Sequence, residues 1–506
     1  MTSLSAIGDD LRQLLGEIAD LESAAALLGW DERTKMPPGG GAARAEQQAT
    51  LARVIHERLA SDHLGRLLTD AREGLDGDAD GATADVVAVA LREWEKARRV
   101  PSELRAELAR AASLSEQAWV EARSSSRFEI LRPHLERVVA LKHRYIECFD
   151  VEHPYDALLD DFEPDARTGE VREILERLRQ GTVPLVQAIG ARPQLDDSNL
   201  HGDFAVEAQR RLVGELAAIL PLPADGWRLD ESPHPFSDSL APTDIRLTTR
   251  YDPAYIGTAV WSVIHEAGHG LYEAGMPPEL ARTPAGRPRS LSLHESQSRM
   301  WENWVGRGRP FCAVLGPLLA GHFPESFASL SANDLYRAAN VVRPSLIRVE
   351  ADEVTYNLHV VIRFELELDL FEERLTVAEL PEAWRSRYSD YLGLQVPDDA
   401  AGVLQDVHWP GGAFGYFPTY SLGNVVAAQL WERARGAIPE LDDQLAAGQL
   451  EPLYGWLAET LFRHAGRLPT AATVERAVGA PIDPGPLLAH LGAKYGELYG
   501  ISAEGG

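Results

Sequence analysis

A chain of 506 residues, 45% hydrophobic and 25% charged, can bury a large core and is long enough for roughly two to four ordinary domains or one large helical enzyme. Its 49 basic residues face 77 acidic ones, and the net charge of −28 argues against nucleic acid and against an anionic membrane surface as partners, because both repel it. Two cysteines, Cys148 and Cys312, are too few for a secreted disulfide scaffold and form no C-x-x-C pair. With no leader-like N-terminus and no apolar run of membrane-spanning length, the expected location is the cytoplasm.

In chain order, Leu11, Leu14, Leu15, Ile18, Leu21, Ala25 and Leu28 recur at helical spacing and predict a helix over 5–30. Pro37, Pro38 and Gly39 to Gly41 break it. Further helices are predicted near 42–60, 81–98, 101–123, 126–149, 168–190 and 203–219. After about Leu220 the periodicity lapses. Ile245, Leu247 and Thr249 alternate with Arg246, Thr248 and Arg250, which reads as a strand. Helices resume from 253 to the end, interrupted by a glycine- and aromatic-rich loop from Trp409 to Asn424. The reading is a mainly α protein with a small β-strand insertion. It is treated as one catalytic unit over 1–506, with an N-terminal helical lobe of about 1–220 and a second lobe of about 221–506.

The segment VIHEAGHGLYEAG, Val263 to Gly275, sets His265 and His269 four residues apart, with Glu266 directly after the first. Asp252 and Pro253 supply a cap and a proline suited to a first helical position. Ile256, Val260, Val263, Ile264 and Leu271 fill the interval, and Gly275 before Met276 and two prolines ends it, so a helix of about six turns is predicted. Residues four apart share one face, about 5–6 Å from each other. Two imidazoles there can reach one metal ion, and zinc takes nitrogen ligands in a tetrahedral shell that keeps a position for water in catalytic sites. Glu266 is placed to take that water's proton. A chance match built from structural histidines is the competing explanation. Tyr272 and Gly275 occupy the places where a metzincin has its glycine and third histidine, so that subclass is excluded. Glu273 lies too far along the axis from His265. A carboxylate from a second helix remains, with Glu295 and Glu302 as candidates. Ser292 to Glu295 also fits an S-x-x-E capping box, which would hold Glu295 at a helix start instead.

HEAGH followed by HESQ, His294 to Gln297, resembles the carboxypeptidase Taq family of thermostable metallocarboxypeptidases. Other blocks follow that family's pattern in order: His234, Pro235, Phe236; then Asp244, Arg246, Thr248; then Ile347, Arg348, Ala351, Asp352; then Gly402, Gln405, Asp406, His408, Trp409. WDERTKMPPGGGAARAEQ near the start and YDALLDDFEP at Tyr155 also fit, so the resemblance covers nearly the whole chain. It implies a zincin-like helical metallopeptidase with a deep substrate cleft and a homodimer. It implies one Zn2+ per subunit on His265, His269 and Glu295, for which Co2+ or Mn2+ also suit the donors. It also implies release of single amino acids from peptide C-termini, with Glu266 as the catalytic base.

A carboxypeptidase needs a cation for the terminal carboxylate, and the planar fork of arginine pairs with both oxygens. Arg348 is the first candidate, against an ordinary pairing with Glu350 or Asp352. Arg246 is the runner-up, with Asp244 beside it as a partner. Tyr420 and His408 are candidate donors to the developing oxyanion, and His234 is a candidate substrate contact. Two other functions compete: a helical zinc oligopeptidase or aminopeptidase, and a non-catalytic metal-binding scaffold.

Overall fold

A computed structural model describes residues 8–75, 81–464 and 466–501. The chain forms two compact units, each drawn from three stretches. The first comprises Met1–Arg98, Asp197–Ala339 and Leu430–Pro481, and the second Arg99–Asp196, Asn340–Gln429 and Ile482–Gly506. The change of texture near Leu220 marks the approach to the sheet and not the border of a unit. No helix of the described residues is long and apolar enough to cross a membrane.

In the first unit, helices Asp9–Thr34, Asp62–Gly74 and Gly81–Arg99 interlock through Leu11, Leu15, Ile18, Leu64, Leu68, Val86 and Ala90, and the helix Gly41–Leu59 packs against them through Ile55 and Leu59. The sheet has three strands: β1 (Trp227–Glu231), β2 (Ser237–Ala241) and β3 (Asp244–Thr249). The central strand, β3, runs parallel to β1 and antiparallel to β2. β3 has both neighbours and turns Ile245 and Leu247 into the core. The edge strand β1 alternates only over Trp227 to Asp230, and the edge strand β2 does not alternate.

The histidine pair lies on the helix Gly257–Ala274. It starts later than Asp252–Pro253 suggests. Asp252 caps only Ala254 N–H, at 2.8 Å. The carbonyls of Pro253 and Ala254 accept from Phe204 and Gly202, so this stretch is tied to a neighbouring strand-like segment and cannot join the helix. Gly275 ends the helix as expected.

The candidate carboxylates come next, on the helix Leu291–Arg299, which runs on into a π-helical stretch, Met300–Gly306. The cap is Ser290, whose hydroxyl accepts from Leu293 N–H at 3.0 Å. Ser292 sits too late in the chain to serve, so Glu295 makes no capping box. Gly268 brings the two helices together. A Cβ there would lie 2.6 Å from Ser298 Cα and 2.7 Å from the Gln297 carbonyl, so only a glycine between the two histidines admits this backbone approach.

In the second unit the helix Tyr356–Phe371 is buried on nearly every face. The expected loop at Trp409–Asn424 is shorter than the sequence suggests: a helix runs over Phe417–Ala437, so Tyr420 stands in its first turn.

Candidate active site

His265, His269 and Glu295 each offer one donor atom, and the three atoms lie within 4.8 Å of one another. Glu295 Oε2 is 3.8 Å from His265 Nε2 and 3.5 Å from His269 Nε2. Ligands at 2.0–2.1 Å in a tetrahedral shell stand about 3.3 Å apart, so the trio needs little adjustment to close on one ion.

The imidazoles are oriented from behind. His265 Nδ1 is 2.9 Å from Glu302 Oε2, and His269 Nδ1 is 3.1 Å from the His294 carbonyl. A carbonyl or carboxylate at Nδ1 requires the proton there and leaves the Nε2 lone pair for a metal. Burial, with His294 and His265 adding to it, holds His269 well below the usual imidazole range, so it is neutral and ready to ligate. The donor set therefore fits a divalent metal.

Glu302, the rival ligand from spacing, is the carboxylate behind His265. Burial opposes its charge, but the bond to His265 and the guanidiniums of Arg307 and Arg299 outweigh burial and hold the carboxyl well below its ordinary range. The π turn belongs to this arrangement: its wider winding carries Glu302 to His265 and lets Arg307 return to it at 3.1 Å. Glu302→Gln is expected to weaken metal binding by about 10–100-fold with the three ligands intact. A metal titration of the apoprotein reads this directly, and an unchanged affinity would deny Glu302 that role.

Two neighbours, His294 of the HESQ block and Glu273, take roles that their spacing does not assign. His294 stacks on His269 with ring centroids 4.2 Å apart, and its Nε2 meets Glu273 at 2.7 Å. Glu273 thus fixes His294, which covers one face of a ligand.

Glu266 is buried, and among the described residues no hydrogen-bond donor engages its carboxyl. Burial pushes it up to about 7; the charge of His265 opposes this and that of Glu295 adds to it. Such a group stands near the balance between holding and releasing a proton at neutral pH.

Peptidase relatives match this chain along nearly its whole length. The profile of the carboxypeptidase Taq (M32) metallopeptidases matches residues 10–495. The chain belongs to this family. It is 41% identical to thermostable carboxypeptidase 1 of Thermus thermophilus over 97% of this chain and 98% of that protein. It is 37% identical to carboxypeptidase 1 of Bacillus subtilis over 96% and 97%. The solved M32 carboxypeptidase of Deinococcus radiodurans superposes with a TM-score of 0.94 at 38% identity, covering 97% of this chain and 99% of that one. The enzyme is a metallocarboxypeptidase, a peptide hydrolase, and the mainly α fold is that of the family.

The other family blocks divide between the units. In the first, Arg246 is engaged bidentately by Asp244, at 3.0 Å from both Nε and Nη2, and lies 4.5 Å from the Trp30 ring. His234 is exposed, with Nδ1 2.9 Å from the Pro235 carbonyl, and Phe236 lies 3.6 Å beneath the Arg33 guanidinium.

In the second unit, Arg348 pairs with neither Glu350 nor Asp352. It is buried and donates Nε and Nη2 to Asp406 Oδ1, at 3.1 and 2.9 Å, and Nη1 to the Tyr356 hydroxyl at 3.1 Å. Asp406 also accepts from Arg363 Nε at 2.8 Å. Two guanidiniums share one carboxylate, which leaves an unmatched positive charge in a buried place. Arg363 spends its fork on Asp406, Gln405, Tyr388 and the His359 carbonyl, whereas these partners use three of the five N–H groups of Arg348. Tyr420 stacks beneath Arg348 at 4.9 Å, and its hydroxyl is 3.3 Å from His408 Nε2. Three of the predicted substrate residues, Arg348, His408 and Tyr420, thus form one cluster.

Proposed function

We propose that this metallocarboxypeptidase is zinc-dependent and removes single amino acids from peptide C-termini, with His265, His269 and Glu295 as the metal ligands and Glu266 as the catalytic base. The observation that carries the reading is the pair of Nε2 atoms left open by Glu302 and the His294 carbonyl, beside a buried Glu266 that no donor engages. When bound, the ion polarises the scissile carbonyl and acidifies a water. Glu266 takes the proton from the attacking water and delivers it to the departing amine. It serves both steps because its carboxyl has no partner to give up. Arg348 receives the terminal carboxylate, and that anion balances the charge the two arginines leave over. Arg246 is the weaker choice because Asp244 already matches it one to one. Tyr420 and His408 donate to the charge developing on the carbonyl oxygen. Cys148 and Cys312 form no disulfide, which agrees with a cytoplasmic enzyme.

Zinc is tested by elemental analysis of the purified enzyme followed by chelation and add-back. One zinc per chain, with activity lost on chelation and restored by zinc, is the expected result. Enzyme that holds and needs another ion would overturn the zinc assignment while leaving the ligands in place.

A further inference from the structure

The buried helix Tyr356–Phe371 carries His359, Arg363 and Glu367 at four-residue intervals, and all three side chains are fully buried. That spacing makes a polar stripe along one face. Arg363 grips Gln405 and Asp406, as described above. Glu367, one turn on, grips the next segment of the chain. Its Oε1 accepts from Trp409 Nε1 at 2.6 Å, and its Oε2 accepts from Gly415 N–H at 2.9 Å and from the Tyr155 hydroxyl at 2.5 Å.

One carboxyl thus closes both ends of the loop from Trp409 to Gly415. The grip on Gly415 depends on glycine. Its φ is +93°, and a Cβ would lie 2.4 Å from the Leu158 carbonyl. Inside the loop, Phe414 stacks on Trp409 at 6.2 Å and 13° and meets Phe371 edge-on at 5.0 Å. Just outside the two pinned residues stand His408 and Tyr416. Their rings lie 5.1 Å apart, and Tyr416 is 5.1 Å from Tyr420. All three donors to Glu367 are neutral, and a buried acid held only by neutral donors is costly where packing alone is needed. Glutamine does not reproduce the site, because its amide would turn an N–H group toward another donor.

We propose that Glu367 is a positioning residue for substrate binding: by pinning Trp409 and Gly415 it sets where His408, Tyr416 and Tyr420 meet the C-terminal residue of the peptide. This rests on the reading of His408 and Tyr420 as substrate contacts. A double-mutant cycle tests both and keeps their failures apart. On a short peptide with a free C-terminus, well below the melting temperature, Glu367→Gln is expected to raise KM about tenfold with metal content unchanged. Trp409→Phe, which keeps the ring and loses the donor, is expected to shift KM the same way and stands in should Glu367→Gln fold poorly. In a His408→Ala/Tyr420→Phe background, Glu367→Gln should then change KM less than about twofold, because the imidazole and the Tyr420 hydroxyl, the substrate-contacting groups it acts through, are gone. Glu367→Gln and Trp409→Phe variants that melt earlier but keep KM, while His408→Ala/Tyr420→Phe raises it, would overturn the proposal and leave Glu367 a purely structural group. His408→Ala/Tyr420→Phe with unchanged KM and kcat would overturn the reading beneath it, and the proposal with it.

Discussion

Glu266→Ala is expected to retain the metal and to lose activity, with kcat lower by roughly 10^2–10^4-fold, the span that a positioned general base contributes. The carboxyl lies one residue from a ligand but contributes no donor atom to the trio His265, His269 and Glu295. No hydrogen bond of the described residues holds it, so its removal deletes a proton acceptor and little else. Metal content and melting temperature should therefore change little while turnover collapses. Hydrolysis at the wild-type rate in a metal-loaded Glu266→Ala enzyme would rule out Glu266 as the base.

The second large effect falls on Arg348. Arg348→Met is expected to lower kcat/KM on free-acid peptides by roughly 2–4 kcal/mol, the scale of losing one partner of a buried charge pair, which is about 30–1,000-fold. Asp406 keeps Arg363 in that variant, so no carboxylate is stranded. Comparison with a C-terminally amidated peptide isolates the cause. The wild-type enzyme should strongly prefer the free acid, and the variant should treat acid and amide nearly alike. A variant that still discriminates would move the carboxylate site elsewhere.

Local chemistry is legible in the sequence; long-range pairing is not. His265, Glu266 and His269 can be read because a helix puts positions four apart on one face. Glu295 is ambiguous because Ser292 offers the pattern of a cap, and nothing local says that Ser290 takes that role. Glu302 requires a π turn, which no apolar periodicity announces. Arg348 has Glu350 and Asp352 as near neighbours, whereas its partner, Asp406, lies 58 residues on. The edge strands escape a reading by pattern because β1 alternates over only Trp227 to Asp230, too short a run beside a Pro/Gly turn, and β2 does not alternate. The stripe of His359, Arg363 and Glu367 is equally silent, since an arginine and a glutamate four apart look like an ordinary exposed helix pair. Gly268 is visible as a letter, but its meaning needs the backbone of Ser298 beside it.

Metal-assisted removal of residues from a chain end is the central claim, and a time course of peptide products read by mass spectrometry before and after chelation tests it most directly. The expected result is a ladder shortening one residue at a time from the C-terminus, present before chelation and absent after it. Internal fragments, trimming from the N-terminus, or a ladder indifferent to chelation would contradict it.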